Sequence, residues 1–119
     1  MVKITKIADI QVYEESKLLV KEIYQLAFKL LTYKDYSLVD QIKRAAMSIP
    51  ANIAEGYGRK TRKDFSKFLS IALGSTNEVM AFLDIVDLIY PNIKSQNLKE
   101  KYSVLAKRIY NFRKSVTNY

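Results

Sequence analysis

The sequence predicts an all-α protein, an antiparallel up-down-up-down four-helix bundle. Only 3 Gly and 2 Pro among 119 residues leave little turn chemistry for a β fold. Apolar residues recur at steps of three and four along four segments, which is the period of helices that bury one face. Short breaks separate the segments and favour antiparallel neighbours. The length predicts a single domain over residues 1–119.

The first two helices are predicted over residues 10–31 and 38–56. Ser37 and Asp40 have capping-box spacing at the start of the second. Pro50 is expected to bend this helix, and Gly56 and Gly58 to end it in the left-handed conformation. The predicted core faces are Val12, Tyr13, Ser16, Val20, Ile23, Tyr24, Ala27, Leu30 and Leu31, then Leu38, Ile42, Ala45, Ile49 and Ile53.

The third and fourth helices are predicted over residues 62–90 and 98–117. Thr61 would cap the third helix and Asn97 the fourth. The third helix has a core face and also a second apolar group, which indicates a subunit interface or the most buried helix of a monomer. The second group is Ile71, Phe82, Ile85 and Ile89, and the face of the fourth helix is Leu98, Tyr102, Leu105, Ile109, Phe112 and Val116.

The composition excludes several classes of function. With no Cys and no His, the chain lacks disulfides, thiolate nucleophiles, His-based triads and His-ligated metal sites. We therefore expect no enzyme activity and no cofactor, although Lys, Tyr or carboxylate chemistry stays open in principle. No signal peptide or stretch of about 20 apolar residues is apparent, so a cytoplasmic location without a membrane partner is expected. The formal net charge of +8 favours polyanionic partners.

Two basic regions are candidate nucleic-acid contacts. One surrounds the start of the third helix, and although its glycines do not match a Walker loop, its cations could bind phosphate backbone. The other is the fourth helix, where binding and a solvated charged face are equally good interpretations; its interleaved aromatics Tyr102, Tyr110, Phe112 and Tyr119 are better interpreted as core. The candidate residues are Arg59, Lys60, Arg62, Lys63, Lys67, Lys107, Arg108, Arg113 and Lys114.

A polar stripe on the second helix has two interpretations. Arg44, Ser48, Asn52, Glu55 and Arg59 share one face and would form either a phosphate site or a structural network. We favour the network, with Glu55 pairing Arg44 or Arg59, and with Asn52 bonding to backbone freed by Pro50.

Two further features of the third helix are interpreted structurally. Gly74 lies within the helix, where close approach at a core or protomer contact would compensate for its low helix propensity. Glu78, Asp84 and Asp87 are interpreted as exposed carboxylates and not as a metal site.

One long segment carries a family resemblance. Gln41–Arg59 closely resembles the pattern Q-I-x-R-A-x-x-S-I-P-x-N-I-A-E-G-x-G-R of bacterial 23S rRNA-intervening-sequence proteins. Phe68–Glu78 resembles the family's F-L-x-I-A-x-G-S-x-x-E block, and Asp9–Tyr13 resembles its D-L-x-V-W entry, with Tyr in place of Trp. The resemblance implies a four-helix protomer in a ring-like homopentamer. It also implies kinship with accessory proteins of diversity-generating retroelements, which engage a reverse transcriptase and nucleic acid.

The resulting hypothesis is a non-catalytic homo-oligomer that binds RNA or DNA non-specifically through its basic surfaces, as an accessory or scaffold protein. The alternative is a protein–protein interaction scaffold, for example a partner of a reverse transcriptase, with no direct nucleic-acid role.

Overall fold

Four long helices form the molecule. The computed structural model describes residues 4–117, and within them it contains no strand. A 3₁₀ turn, Ile7–Asp9, precedes the first long helix, and another, Leu31–Tyr33, follows it. The four long helices are labelled α1 (Gln11–Leu30), α2 (Tyr36–Tyr57), α3 (Arg62–Ile89) and α4 (Gln96–Thr117). Around the bundle α1 packs on α2, α2 on α3, α3 on α4, and α4 on α1, and the bundle measures 46 × 20 × 19 Å. The all-α four-helix prediction is confirmed.

The core is built from one apolar stripe of each helix. The stripe predicted for α2 is buried at all five positions. For the first helix the prediction missed Leu19 and Leu26, which are buried, and wrongly placed Tyr24 and Leu31 in the core, since both are exposed. The two missed residues lie on the side of α1 next to α4, since Leu19 lines a surface groove together with Val104 and Leu26 lines another together with Leu98. This side of α1 is covered by a helix remote in sequence, while the rest of its buried face packs on α2.

The helix starts differ in part from the sequence prediction. Asp35 caps α2, since its carboxylate accepts a hydrogen bond from the Leu38 amide at 3.1 Å. The same carboxylate accepts a bond from the Tyr90 hydroxyl at 2.6 Å, a tertiary contact that no local pattern reveals. The Thr61 cap of α3 is confirmed by the bond from the Asp64 amide at 3.1 Å. The fourth helix begins at Gln96, so the predicted Asn97 cap lies inside it.

The glycines at the end of α2 act differently from the prediction, whereas the bend expected at Pro50 stays a prediction. The second helix runs through Pro50 to Tyr57, and Gly58 follows in right-handed conformation with φ −77°. Lys34, with φ 58°, is the one described residue in left-handed conformation, so the left-handed stop predicted at Gly56 and Gly58 is wrong. Gly56 is instead needed for packing, because a Cβ there would lie 2.8 Å from Phe68 Cβ.

Gly74 shows the opposite situation. A Cβ at this position would meet nothing within 4 Å, so the predicted close contact with the protomer's own core is wrong. The predicted protomer contact at Gly74 stays a prediction.

A group of apolar residues on α3 is not covered within the protomer. Ile71, Ile85, Leu88 and Ile89, called the α3 stripe below, are 45%, 39%, 82% and 54% exposed. Phe82, predicted in this group, is instead partly buried against the core. The third helix is therefore not simply the most buried helix of a monomer. By length and composition α3 would also suit a membrane span, and 33% of its apolar segment is buried in the bundle. One such helix is weak evidence for a membrane, because a core face plus an apolar stripe gives a bundle helix the same length and apolarity.

The two helical glycines form a matched test of packing. Gly56→Ala is expected to destabilise the fold by roughly 1–3 kcal/mol, because the new methyl group overlaps Phe65 and Phe68. Gly74→Ala is expected to stabilise it by about 1 kcal/mol through helix propensity. Urea unfolding followed by circular dichroism measures both, and equal effects would contradict the difference in packing.

A second test concerns Tyr102, whose buried hydroxyl has no hydrogen-bond partner among the described residues. Burial, and then the charge of Glu22, raise the pKa of Tyr102 well above its usual value. The contribution of Tyr102 to the free energy of unfolding should therefore stay constant below the unfolded-state pKa of about 10. At higher pH the free energy of unfolding should fall, because Tyr102 ionises in the unfolded chain but not in the folded protein. Tyr102→Phe should stabilise the protein by roughly 1 kcal/mol at neutral pH and flatten this alkaline loss. Urea unfolding at pH 7 and above pH 10 checks both, and a loss of stability at pH 7 would show that the hydroxyl is satisfied.

Candidate nucleic-acid interface

Two basic regions that are distant in sequence meet at one end of the bundle. The Ser66 and Thr117 hydroxyls are 2.7 Å apart, and Arg113 Nη1 donates to Ser70 Oγ at 2.7 Å. These contacts place the last turns of α4 beside the first turns of α3. The cations so gathered, called the basic end below, are Lys60, Arg62, Lys63, Lys67, Arg113 and Lys114.

An aromatic cluster holds this end together. The rings of Tyr57 and Phe65 meet edge to face with centroids 6.4 Å apart, and Phe65 meets Phe112 in the same way at 5.8 Å. The three residues belong to α2, α3 and α4. The cluster therefore fixes the α2–α3 connection and the end of α4 relative to one another, which gives the basic end a defined shape.

Most cations of the basic end are available to a ligand. Lys60, Lys63, Lys67 and Lys114 are exposed and form no ion pair with any residue in 4–117. Arg113 is half-buried and held by Ser70, and its Nε is buried without a hydrogen-bond partner in the described chain. A patch of this kind attracts anions such as phosphate.

Two predicted contact residues have partners inside the protomer. Arg59 Nη2 lies 2.6 Å from Glu55 Oε1, and the guanidinium lies 4.8 Å from the centre of the Phe68 ring. Arg108 Nη1 donates to Glu15 Oε1 at 2.6 Å, and this bond raises the pKa of Arg108. Neither side chain is as free to neutralise phosphate as the lysines of the basic end.

The α4 cations nearer its start are also used internally. Lys101 Nζ lies 2.8 Å from Glu22 on α1, and Lys99 pairs with Asp84 on α3. The cations of α4 thus form two groups. Lys99, Lys101 and Arg108 pair with carboxylates of neighbouring helices, whereas Lys107 and Lys114 have no acidic partner among the described residues.

The polar stripe of α2 forms two separate structures. Arg44 pairs with Asp40 at 3.2 Å on the surface, so Glu55 pairs with Arg59 alone. The predicted single network is wrong, because these exposed ion pairs do not join the buried part.

The buried part of the stripe connects α2 to α3. Asn52 Nδ2 donates to Ser48 O at 2.8 Å and to Ser48 Oγ at 2.9 Å, and Ser48 Oγ lies 2.8 Å from Ser75 Oγ. Asn52 therefore bonds to Ser48 and not to Ala46, the carbonyl that Pro50 leaves without a helical donor. This contact is structural.

A groove between α3 and α4 is the feature that the sequence interpretation missed. It has a volume of about 450 Å³ and is lined by Leu73 and Asn77 on α3 and by Ala106, Lys107, Tyr110 and Asn111 on α4. The core interpretation of the α4 aromatics holds for Tyr102, which is buried, and for Phe112, which is partly buried against the core. It does not extend to Tyr110, which is 48% exposed. Tyr119 lies outside the described residues. The missed signal was the spacing that puts Tyr110 on one face with Lys107 and Lys114.

No group of three or more His, Cys, Asp or Glu in residues 4–117 could hold a metal ion. Of the acidic residues considered, Glu78 and Asp87 are exposed, and Asp84 pairs with Lys99.

The model of the 23S rRNA-intervening sequence protein family matches residues 8–111. The chain belongs to this family. The fold is similar to the 1.70 Å crystal structure of a protein of unknown function from the S23 ribosomal protein family of Bacteroides thetaiotaomicron. The two are 26% identical with a TM-score of 0.79, over 87% of this chain and 95% of that one. No curated protein matches the chain.

Proposed function

We propose that this member of the family is a non-catalytic accessory protein that binds RNA or DNA through its basic end. The observation that carries the proposal is the convergence of exposed cations at one end of the bundle, on a chain of net charge +8. Among them Lys60, Lys63, Lys67 and Lys114 form no ion pair with residues 4–117. Phosphates are the anions that such a surface meets in nucleic acid, and neutralising them releases counterions. We propose a cytoplasmic location, where both polymers are present.

Binding of this kind is sequence-independent. The lysines at the basic end contact phosphates as point charges, and phosphate contacts position a protein without reading bases. The amides at the start of α3 add a partial positive charge at the same end.

We propose the up-down-up-down topology from the pattern of contacts. Between α1 and α4, Glu15 meets Arg108 and Glu22 meets Lys101, so residue numbers rise in one helix as they fall in the other. Between α3 and α4, Ser70 meets Arg113 and Asp84 meets Lys99, in the same opposed order. These pairings support antiparallel neighbours.

We propose further that the protein is a homo-oligomer whose interface includes the α3 stripe. A row of large apolar side chains at helical spacing, open to water, is typical of an association surface. Gly74 lies between these residues, and no atom within 4 Å of the position of its missing Cβ stands in the way of a second protomer. The family resemblance implies that the oligomer is a ring-like pentamer.

The α3 stripe also supports a second candidate, a protein-interaction scaffold. In that case the stripe binds a different protein, for example a reverse transcriptase, and the basic charge serves that partner or solubility. The two candidates differ in whether the basic end contacts nucleic acid.

The first test of function reverses charge at the basic end. Lys60→Glu, Arg62→Glu and Lys63→Glu together are expected to weaken binding to RNA and to duplex DNA at least tenfold. The slope of log K against log salt should become shallower by about 2 to 3, since each neutralised phosphate contributes about 0.9. Fluorescence anisotropy over a salt series measures both quantities.

The control has the same net charge. Lys21→Glu, Lys29→Glu and Lys94→Glu change exposed cations away from the basic end. Equal weakening by both triple variants would contradict a localised site. No binding by the wild type even at low salt would reject the nucleic-acid proposal and favour the scaffold.

The second test concerns assembly. Sedimentation should give the wild-type pentamer a mass of about 69 kDa, five times the 13.8 kDa of the chain. Ile71→Glu with Ile85→Glu should yield folded monomers, because two charges would then be buried unpaired at the interface. The matched control, Leu18→Glu with Val104→Glu, alters exposed apolar residues of α1 and α4 and should keep the wild-type mass. The reverse result would place the interface on the α1–α4 side.

A further inference from the structure

The groove between α3 and α4 lies on the same face as part of the basic end. Going back along α4 from the basic end, one face presents Lys114, Tyr110 and Lys107, at steps of four and three residues, and Asn111 lies next to Tyr110. The two lysines are about 10 Å apart along the helix axis. A ligand that follows this face therefore meets cation, aromatic ring and cation in turn.

Tyr110 differs from two other exposed tyrosines of the protein, Tyr24 and Tyr33. The residue is 48% exposed, and its ring has no ring, cation or hydrogen-bond partner among residues 4–117. By contrast, Tyr33 stacks on Tyr90 with centroids 4.5 Å apart, and Tyr24 lies under Lys43. The face of Tyr110 is thus open to a flat ligand, beside a groove of about 450 Å³.

The polar lining of the groove suits nucleobases. Asn77 and Asn111 lie on opposite helices, and each amide offers donors and acceptors that match the edges of bases. Leu73 and Ala106 supply an apolar floor. Cations that follow the backbone, an aromatic ring for stacking and amides for edges are the combination used to bind single strands, in which bases are free to leave the stack.

We propose that the α3–α4 groove binds unpaired nucleotides, so that the preferred ligand of this protein is single-stranded nucleic acid and not duplex. The inference rests on the proposed function, because it extends the binding surface of the basic end. Phosphates would bind Lys107 and Lys114, and a base between them would stack on Tyr110. The basic end alone, by contrast, attracts either polymer.

The test compares a 20-nucleotide oligouridine and a 20-base-pair DNA duplex at one salt concentration by fluorescence anisotropy. Wild-type protein should bind the single strand more tightly. Tyr110→Ala should lower the ratio of single-strand to duplex affinity by roughly 5- to 150-fold, the usual effect of losing one stacked base. Tyr110→Phe keeps the ring and should keep the ratio.

Tyr36→Ala is the matched control, since Tyr36 is a 64% exposed tyrosine at the start of α2. Its ratio should equal that of the wild type. Lys107→Gln should make the salt slope for oligouridine shallower by about 0.7, the contribution of one phosphate on a single strand.

The outcomes separate the two proposals. If both polymers bind and Tyr110→Ala leaves the ratio unchanged, the groove proposal fails and the basic end stands. If duplex binds more tightly than oligouridine, the groove proposal fails in the same way. If neither polymer binds, both proposals fail.

Discussion

The second helix lies so close to the first turns of α3 that only glycine fits at the contact. At Gly56 a side-chain carbon would come within 3 Å of both Phe65 and Phe68. This approach brings Phe65 between Tyr57 and Phe112, so that α2, α3 and α4 meet in one aromatic cluster. The direction in which α3 leaves the connection is thereby fixed, and with it the position of Lys60–Lys67 beside the end of α4. The proposed binding surface depends on this single tight contact.

Charge on α4 has two roles that the linear sequence mixes together. Lys99, Lys101 and Arg108 bind carboxylates of α1 and α3 and join the helices. Surface ion pairs of this kind contribute little stability each, but they select which helices are neighbours and neutralise part of the charge. Lys107 and Lys114, on the same helix, have no acidic partner among the described residues and are therefore available to a ligand. Part of the positive charge of α4 is therefore neutralised by carboxylates of α1 and α3. The cations of the basic end, by contrast, lie close together at one end of the bundle, which the net charge of +8 does not reveal.

The proposed association and ligand surfaces are neighbours on α3: Ile71 and Ile85 are turned away from the groove, whereas Leu88 lies only about 20° around the helix from Asn77. Ile71 and Ile85 follow the exposed stripe, whereas Leu73 and Asn77 line the groove against α4. Successive helical residues differ by about 100° in direction, so Asn77 is turned well away from Ile71 and Ile85. A ring assembled through Ile71 and Ile85 would leave each groove and each basic end accessible. Repeating these sites around a ring would strengthen binding to a long strand without any new contact.

The sequence alone determined the family, the four helices and most of the core, because motif spacing and the 3.6-residue apolar period are local properties of the chain. It identified the Thr61 cap and all five core positions predicted in α2 for the same reason. Only the tertiary structure decided that Leu19 and Leu26 are buried, that Asp35 serves both Leu38 and Tyr90, and that Gly56 is a packing residue. It likewise decided which cations are already paired, that Tyr110 is open beside a groove, and that two basic segments meet at one end. Most of these depend on which side chains of another helix lie opposite, and a contact between two helices leaves no periodic signal in the residues of either one.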